Sequence, residues 1–177
     1  TSNIFECKMG KPELGLVGEI TQVNLDPINQ ALGSSAIPVI APIGEGENEI
    51  LNINADIASV ELVKAMNPDK VIFLSETGGI FNQSNKLIET INLVLEYEDL
   101  MQQDWLHSGM KLKLEQVKAL LDHLPKTSSV SITQPINLPK ELFTDSGSGT
   151  LVKHGYKVDQ FKEPDRQIQS EFKLIVE

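Results

Sequence analysis

The sequence predicts an α/β fold, with a mainly parallel sheet sandwiched by helices. Three observations point there. Extended and helical patterns alternate along the chain. Several short apolar, β-branched runs are each followed by turn residues. One long segment carries an apolar stripe at helical spacing.

The elements follow in order. Residues 16–24 (LVGEITQVN) alternate apolar and polar side chains, as a half-buried strand does. Asp26 and Pro27 open a short helix that stops at Gly33. Residues 37–43 (IPVIAPI) are apolar and β-branched and predict a buried strand. A helix is expected over 56–66, ended by Asn67-Pro68. Residues 70–74 (KVIFL) predict another buried strand, and Gly78-Gly79 break the chain after it. Met110, Leu114, Val117, Leu121 and Leu124 form one apolar helix face, which Pro125 stops. Residues 130–133 read as a strand and 138–143 as a short helix. Gly147 and Gly149 make a turn before a strand at 150–153. From about Asp159 the pattern fades into polar residues with Pro164 inside, which reads as a linker. The expected division is therefore 1–157 as part of one folded domain and 158–177 as linker to a further domain. The first residue is Thr1, with no basic or apolar leader, so the chain reads as an excised segment without a targeting peptide.

Composition narrows the function. At 177 residues with 40% hydrophobic side chains, the chain can bury a core. No apolar run reaches the length of a membrane-spanning helix. A net charge of −10 argues against nucleic acid as partner, because that affinity rests on Lys and Arg neutralising phosphates. Cys7 is the only cysteine, so no intrachain disulfide forms, and it reads as an inert thiol in a reducing compartment. His107, His123 and His154 lack metal-ligand spacing, and no metal site is expected. No Gly-Lys-Ser/Thr phosphate loop, G-x-G-x-x-G or H-E-x-x-H is present. Residues 146–149 (SGSG) do not form a G-x-S-x-G elbow, which discounts serine hydrolysis.

Three segments carry chemistry in two readings each. In 51–56 (LNINAD), Asn54 or Asp56 caps a helix, or the polar residues rim a ligand site at a strand end. In 74–81 (LSETGGIF), the glycines make a tight turn or let backbone approach a ligand. In 110–118 (MKLKLEQVK), the lysines are solvated or meet an anion. Lysines near a helix N-terminus oppose the dipole, a cost that hints at a phosphate.

Taken in order, the stretches GLVGEITQVN, IPVIAPIG, LNINAD, VIFLSETGGIF, GMKLKLEQVKALLDHLP and KELFTDSGSGTLV resemble the N-acetylglutamate kinases of the amino acid kinase family. The resemblance runs from about Gly15 to Tyr156, over the nucleotide-binding C-terminal half, and the wording is closer to the fungal type than to the bacterial one. It implies the amino acid kinase fold as a partial domain, and transfer of the ATP γ-phosphoryl group to the side-chain carboxylate of N-acetyl-L-glutamate, with Mg²⁺. It implies that Asn52 holds the substrate, Asp56 orients the catalytic lysines and Lys113 touches the migrating phosphoryl group. Glu76, Thr77, Gly78, Gly79, Ile80 and Phe81 would line the ATP site, with Trp105, Leu106 and His107 in its wall. Bacterial members usually carry Asp at the place of Glu76, a departure that keeps the charge. Glu141 and Gly147 fall where arginine-inhibited relatives hold L-arginine.

The family's second lysine, in a Lys-x-Gly-Gly strand, is not in this sequence, nor are the glycine-rich loop and the substrate-binding arginine. The chain alone is therefore expected to be inactive. The resemblance also implies a homo-oligomer, association with N-acetylglutamate synthase, and the mitochondrial matrix as location. Two alternatives stay open. One is the arginine-sensing kinase-like domain of an N-acetylglutamate synthase, disfavoured by the presence of Asn52, Asp56 and Lys113. The other is a sibling kinase acting on aspartate or glutamate.

Overall fold

A computed structural model describes residues 3–144 and 147–156. The linker expected at 158–177 lies outside the described residues. The structure holds two four-stranded sheets.

The first sheet has the order β2-β1-β3-β4. It is built from β1 (Phe5–Met9), β2 (Gly18–Val23), β3 (Ile43–Glu45) and β4 (Ile50–Asn52). Strand β1 was not expected. Its alternation is short, with Phe5 and Cys7 buried between exposed Glu6 and Lys8. Burial raises the pKa of the Cys7 thiol and so favours its protonated form. Helix α1 (Asp26–Gly33) follows β2 and buries Ile28. Helix α2 (Ala55–Met66) follows β4 and ends at Asn67, whose left-handed backbone (φ 48°) closes it. It touches both β2 and α4 (Ser108–His123).

The second sheet has the order β5-β7-β8-β6. Its strands are β5 (Lys70–Leu74), β6 (Thr90–Asn92), β7 (Ser129–Thr133) and β8 (Thr150–Lys153). Helices α3 (Leu93–Met101) and α5 (Leu138–Phe143) complete this part. The apolar stripe read from the sequence is buried here: Leu114, Val117 and Leu121 of α4 join Val130, Ile132, Val152 and Ile91 in one core. Leu120, outside the expected stripe, is also buried.

Three expectations need correction. The sheets are mixed rather than mainly parallel. Strand pairs β1·β3, β5·β7 and β6·β8 are parallel, while β1·β2, β3·β4 and β7·β8 are antiparallel. The buried strand expected over 37–43 is also absent; only Ile43 enters a strand. Ile37 is 90% exposed and Val39 95% exposed. Pro38 and Pro42 remove two backbone donors, and no neighbouring strand pairs with this segment among the described residues. Strand β5 is likewise only half-buried, because it lies at the edge of its sheet. Among the described residues no helix is long and apolar enough to cross a membrane.

Candidate functional site

Parallel strands β5 and β7 end together, with Leu74 opposite Thr133. Ligands of α/β sheets commonly sit outside such carboxyl ends. The turn that leaves β5 is pinned at this point. The Ser75 N–H donates to the Thr133 carbonyl at 2.8 Å. The Gly78 N–H donates to Ser75 Oγ at 3.2 Å, and Gln134 Nε2 donates to the Glu76 carbonyl at 2.9 Å. The Ile80 N–H donates to Thr150 Oγ1 at 2.8 Å.

The glycine pair is required by this turn. Gly78 has φ +73° and Gly79 φ +154°, where a side chain is strained. A Cβ on Gly79 would stand 2.5 Å from Leu87 Cδ1 and 2.9 Å from Thr150 Oγ1. Gly78, Gly79 and Ile80 are buried, whereas Glu76, Thr77 and Phe81 are exposed. The buried three frame the turn, and the exposed three form its open side.

Lys113 on α4 reaches the strand that feeds this turn. Its Nζ lies 5.5 Å from the centroid of the Phe73 ring on β5. That is within cation–π range and keeps a positive charge over the strand that feeds the turn. Helix α4 begins after His107 with no side-chain cap. Its first N–H groups are the kind that receive anions. Of the expected wall residues, His107 is exposed and Leu106 is a core residue, 4% exposed. Trp105 is half-buried, with its indole N–H donated to Gln103 Oε1 at 3.0 Å.

Asn52 and Asp56 stand in the other sheet's region. Asn52 ends β4, with its backbone N–H donated to the Leu16 carbonyl at 2.9 Å. Asp56 lies exposed in the first turn of α2. The cap is Asn54, whose Oδ1 accepts from the Asp56 N–H at 2.9 Å and the Ile57 N–H at 3.2 Å. Among the described residues no ion pair joins Asp56 to Lys113. The link between the two places is the contact of α2 with α4.

Glu141 forms a third place. It is 3% exposed, and its Oε1 lies 2.7 Å from Lys70 Nζ. Lys70 also donates to the Glu141 carbonyl at 2.8 Å, and the Ser148 N–H donates to Oε2 at 3.0 Å. Burial pushes the Glu141 pKa up, but Lys70 and the Ser148 N–H outweigh it and hold the carboxyl below its ordinary value of 4.5. Gly147, at φ +61°, packs against this carboxylate, and a Cβ there would collide with Oε2. An incoming guanidinium would have to displace Lys70. Lys70, Thr133, Gln134 and Thr150 were not singled out from the sequence, and Ser148 was noted only within the discounted 146–149 stretch. Only Lys70, a charge opening an apolar strand, carried a visible signal.

Comparison with known proteins places this arrangement. Residues 1–130 match the model of the amino acid kinase family. An acetylglutamate kinase of Xylella fastidiosa is 54% identical over 160 residues, 89% of this chain and 38% of its own length. The mitochondrial protein arg-6 of Neurospora crassa is 46% identical, over 89% of this chain and 18% of its own length. The bacterial protein thus shares more residues than this fungal one, despite the fungal-type wording. An N-acetylglutamate synthase from Neisseria gonorrhoeae, solved with coenzyme A and L-arginine, superposes with a TM-score of 0.73 at 20% identity. It covers 98% of this chain and 42% of that one. A carbamate kinase from Giardia lamblia reaches a TM-score of 0.55 at 17% identity, over 77% and 46% of the two chains. The matched stretch spans less than half the length of each of these proteins.

Proposed function

Because the chain belongs to the amino acid kinase family, we propose that it forms the nucleotide-side part of an acetylglutamate kinase. The observation that carries this reading is 54% identity across 89% of the chain with a protein of that name. The site geometry supports it, since Lys113 lies over Phe73, on the strand whose end opens into the 75–81 turn. We also propose the residue boundaries: 1–157 as this part of the domain, and 158–177 as linker.

In this reading a carboxylate oxygen of N-acetyl-L-glutamate attacks the γ-phosphorus of ATP. The bond to the bridging oxygen breaks, ADP leaves, and an acyl phosphate forms. Both reactants are anionic, so positioning and charge neutralisation dominate. Lys113 supplies positive charge to the phosphoryl group in flight. The exposed Glu76, Thr77 and Phe81 border the nucleotide, and His107 stands in its wall. Asn52 donates its amide to the substrate carboxylate, and Asp56 orients the lysines. Mg²⁺ would enter with the nucleotide, held through phosphate oxygens and water. Among the described residues no three His, Cys, Asp or Glu stand together as a ligand set.

L-Arginine as effector at Glu141 and Gly147 belongs to the same proposal, with the guanidinium taking the place of Lys70 on the carboxylate. So do a homo-oligomer and association with N-acetylglutamate synthase. The mitochondrial matrix is proposed from relatives such as the Neurospora protein, whose name is mitochondrial. The synthase-type regulatory reading draws on the Neisseria structure, which at 20% identity carries the fold only.

The test is an ADP-release assay with MgATP and N-acetyl-L-glutamate. A complete kinase domain containing this stretch should release ADP only when the acceptor is present, and this chain alone should not. Release by the complete domain with aspartate or glutamate in place of the acetylated acceptor would overturn the substrate assignment.

A further inference from the structure

Helix α4 places two lysines over aromatic rings, and among the described residues only one of them has a counter-ion. Lys113 Nζ lies 5.5 Å from the centroid of the Phe73 ring, and Lys118 Nζ lies 5.5 Å from that of Tyr97. Lys118 is also neutralised, because Asp122, one helical turn on, brings Oδ2 to 2.6 Å from its Nζ. Around Lys113 the positions at helical neighbour spacing are Gly109, Met110, Gln116 and Val117, and none is an acid. Among the described residues Lys113 joins no ion pair, whereas Lys8, Lys64 and Lys70 each have a carboxylate within 3.1 Å. Lys113 is nevertheless half-buried, and so is Phe73.

A half-buried ammonium costs free energy unless something attracts it. A carboxylate would hold it firmly, but an incoming anion would then have to displace that carboxylate. A ring face attracts the ammonium through its quadrupole and leaves its charge uncancelled. The ring itself is held in place. Phe73 stands opposite Ile132 in the parallel pair of β5 and β7, and it packs on the core that contains Ile80 and Ile132. Two residues further on, the Ser75 N–H donates to the Thr133 carbonyl at 2.8 Å, where the turn begins. The ring, and the lysine over it, are therefore tied to the strand that opens into the 75–81 turn.

We propose that Phe73 is a positioning residue for Lys113. Its ring holds the ammonium over the strand that feeds the turn and leaves the positive charge free to meet a phosphoryl group. The inference deepens the phosphoryl-transfer reading of Lys113 and rests on it.

The experiment is a double-mutant cycle in a complete kinase domain containing this stretch, read by ADP release with MgATP and N-acetyl-L-glutamate. Phe73→Leu keeps an apolar side chain and removes the ring, and Phe73→Met serves as a second ring-free variant should leucine disturb the fold. Either should lower kcat about fivefold, the size of a lost cation–π contact. Phe73→Tyr restores a ring face and should return kcat to within about twofold of the parent. In a Lys113→Ala background, Phe73→Leu should leave the residual rate unchanged, because the ring acts through the lysine. An equal loss from Phe73→Leu in the parent and in the Lys113→Ala background would overturn the proposal and make Phe73 a packing residue only. Full activity of both ring-free variants beside an impaired Lys113→Ala would also overturn it, and would leave the kinase reading standing. Full activity of Lys113→Ala would overturn both, because Lys113 would then lie outside the site.

Discussion

The two sheets differ in how completely they close their own cores. The β5-β7-β8-β6 sheet has ten buried apolar residues in one cluster, with α4 laid across it. The β2-β1-β3-β4 sheet has five, together with cavities of about 200 and 110 Å³ along the 37–42 segment. Close packing is what locks side chains into one arrangement. The turn at 75–81 and Lys113 therefore sit on a frame this chain builds for itself. Asn52 and Asp56 sit on a frame that still has an open edge. The closed sheet thus holds the 75–81 turn on a packed core, whereas the sheet that carries Asn52 and the start of α2 leaves part of its apolar surface uncovered among the described residues.

The largest expected effect lies on the closed side. In a complete kinase domain, Lys113→Ala should lower kcat by about 10²–10³, the usual loss for one oriented electrostatic partner. Stability should fall by only about 0.5–1 kcal/mol, for the contact with Phe73. In this chain alone, the same change should weaken MgATP binding in calorimetry. Unchanged ATP affinity and turnover would detach Lys113 from the site and remove the nucleotide role from this sheet.

A second, somewhat smaller effect concerns the Lys70–Glu141 pair on the same sheet. Lys70→Met leaves a buried carboxylate without its cation, and should destabilise the chain by about 3 kcal/mol in urea unfolding at neutral pH. The sign with pH is fixed by the lowered pKa of Glu141. The stabilisation is fully present above the ordinary carboxylate value of 4.5 and is lost as pH falls through the lower folded value. The parent should therefore lose stability in that acid range, and Lys70→Met should lose less of it. Parallel acid profiles for the two proteins would mean that the pair does not hold this corner of the sheet.

Much of the closed sheet was legible in advance. The helix at 138–143 and the strands at 70–74 and 150–153 coincide with α5, β5 and β8, because their turn residues punctuate the chain on both sides. The stripe from Met110 to Leu124 showed which helix covers the sheet. The pairings were not legible. The 129–133 and 150–153 strands run antiparallel because the chain returns through the short α5 corner, and alternation alone does not report direction. The 37–43 run misled for a related reason. Apolar, β-branched composition states that a strand can form, but burial needs a neighbour, and this one has none among the described residues. At the candidate site, Glu76–Phe81 and Lys113 were proposed from the 74–81 and 110–118 segments together with a resemblance, while Thr133, Gln134 and Thr150, which pin the turn, were not named. Their role is to hold the turn through single hydrogen bonds, which leave no mark in a sequence pattern.

The smallest expected effect separates a cap from a ligand contact on the open side. Asn54 Oδ1 accepts the N–H groups of Asp56 and Ile57, so it satisfies two of the orphan donors at the start of α2. Asn54→Ala should cost about 1 kcal/mol, and Asn54→Ser should recover most of it, because a serine hydroxyl caps nearly as well. The cap is local, so the loss should be the same in this chain and in a complete kinase domain. Stability of both variants in both backgrounds, from thermal or urea unfolding, gives the check. A serine variant that is stable yet binds N-acetyl-L-glutamate far more weakly in the complete domain would mean that the Asn54 amide touches the acceptor. The polar rim would then begin at Asn54 itself, and the cap would be its second duty.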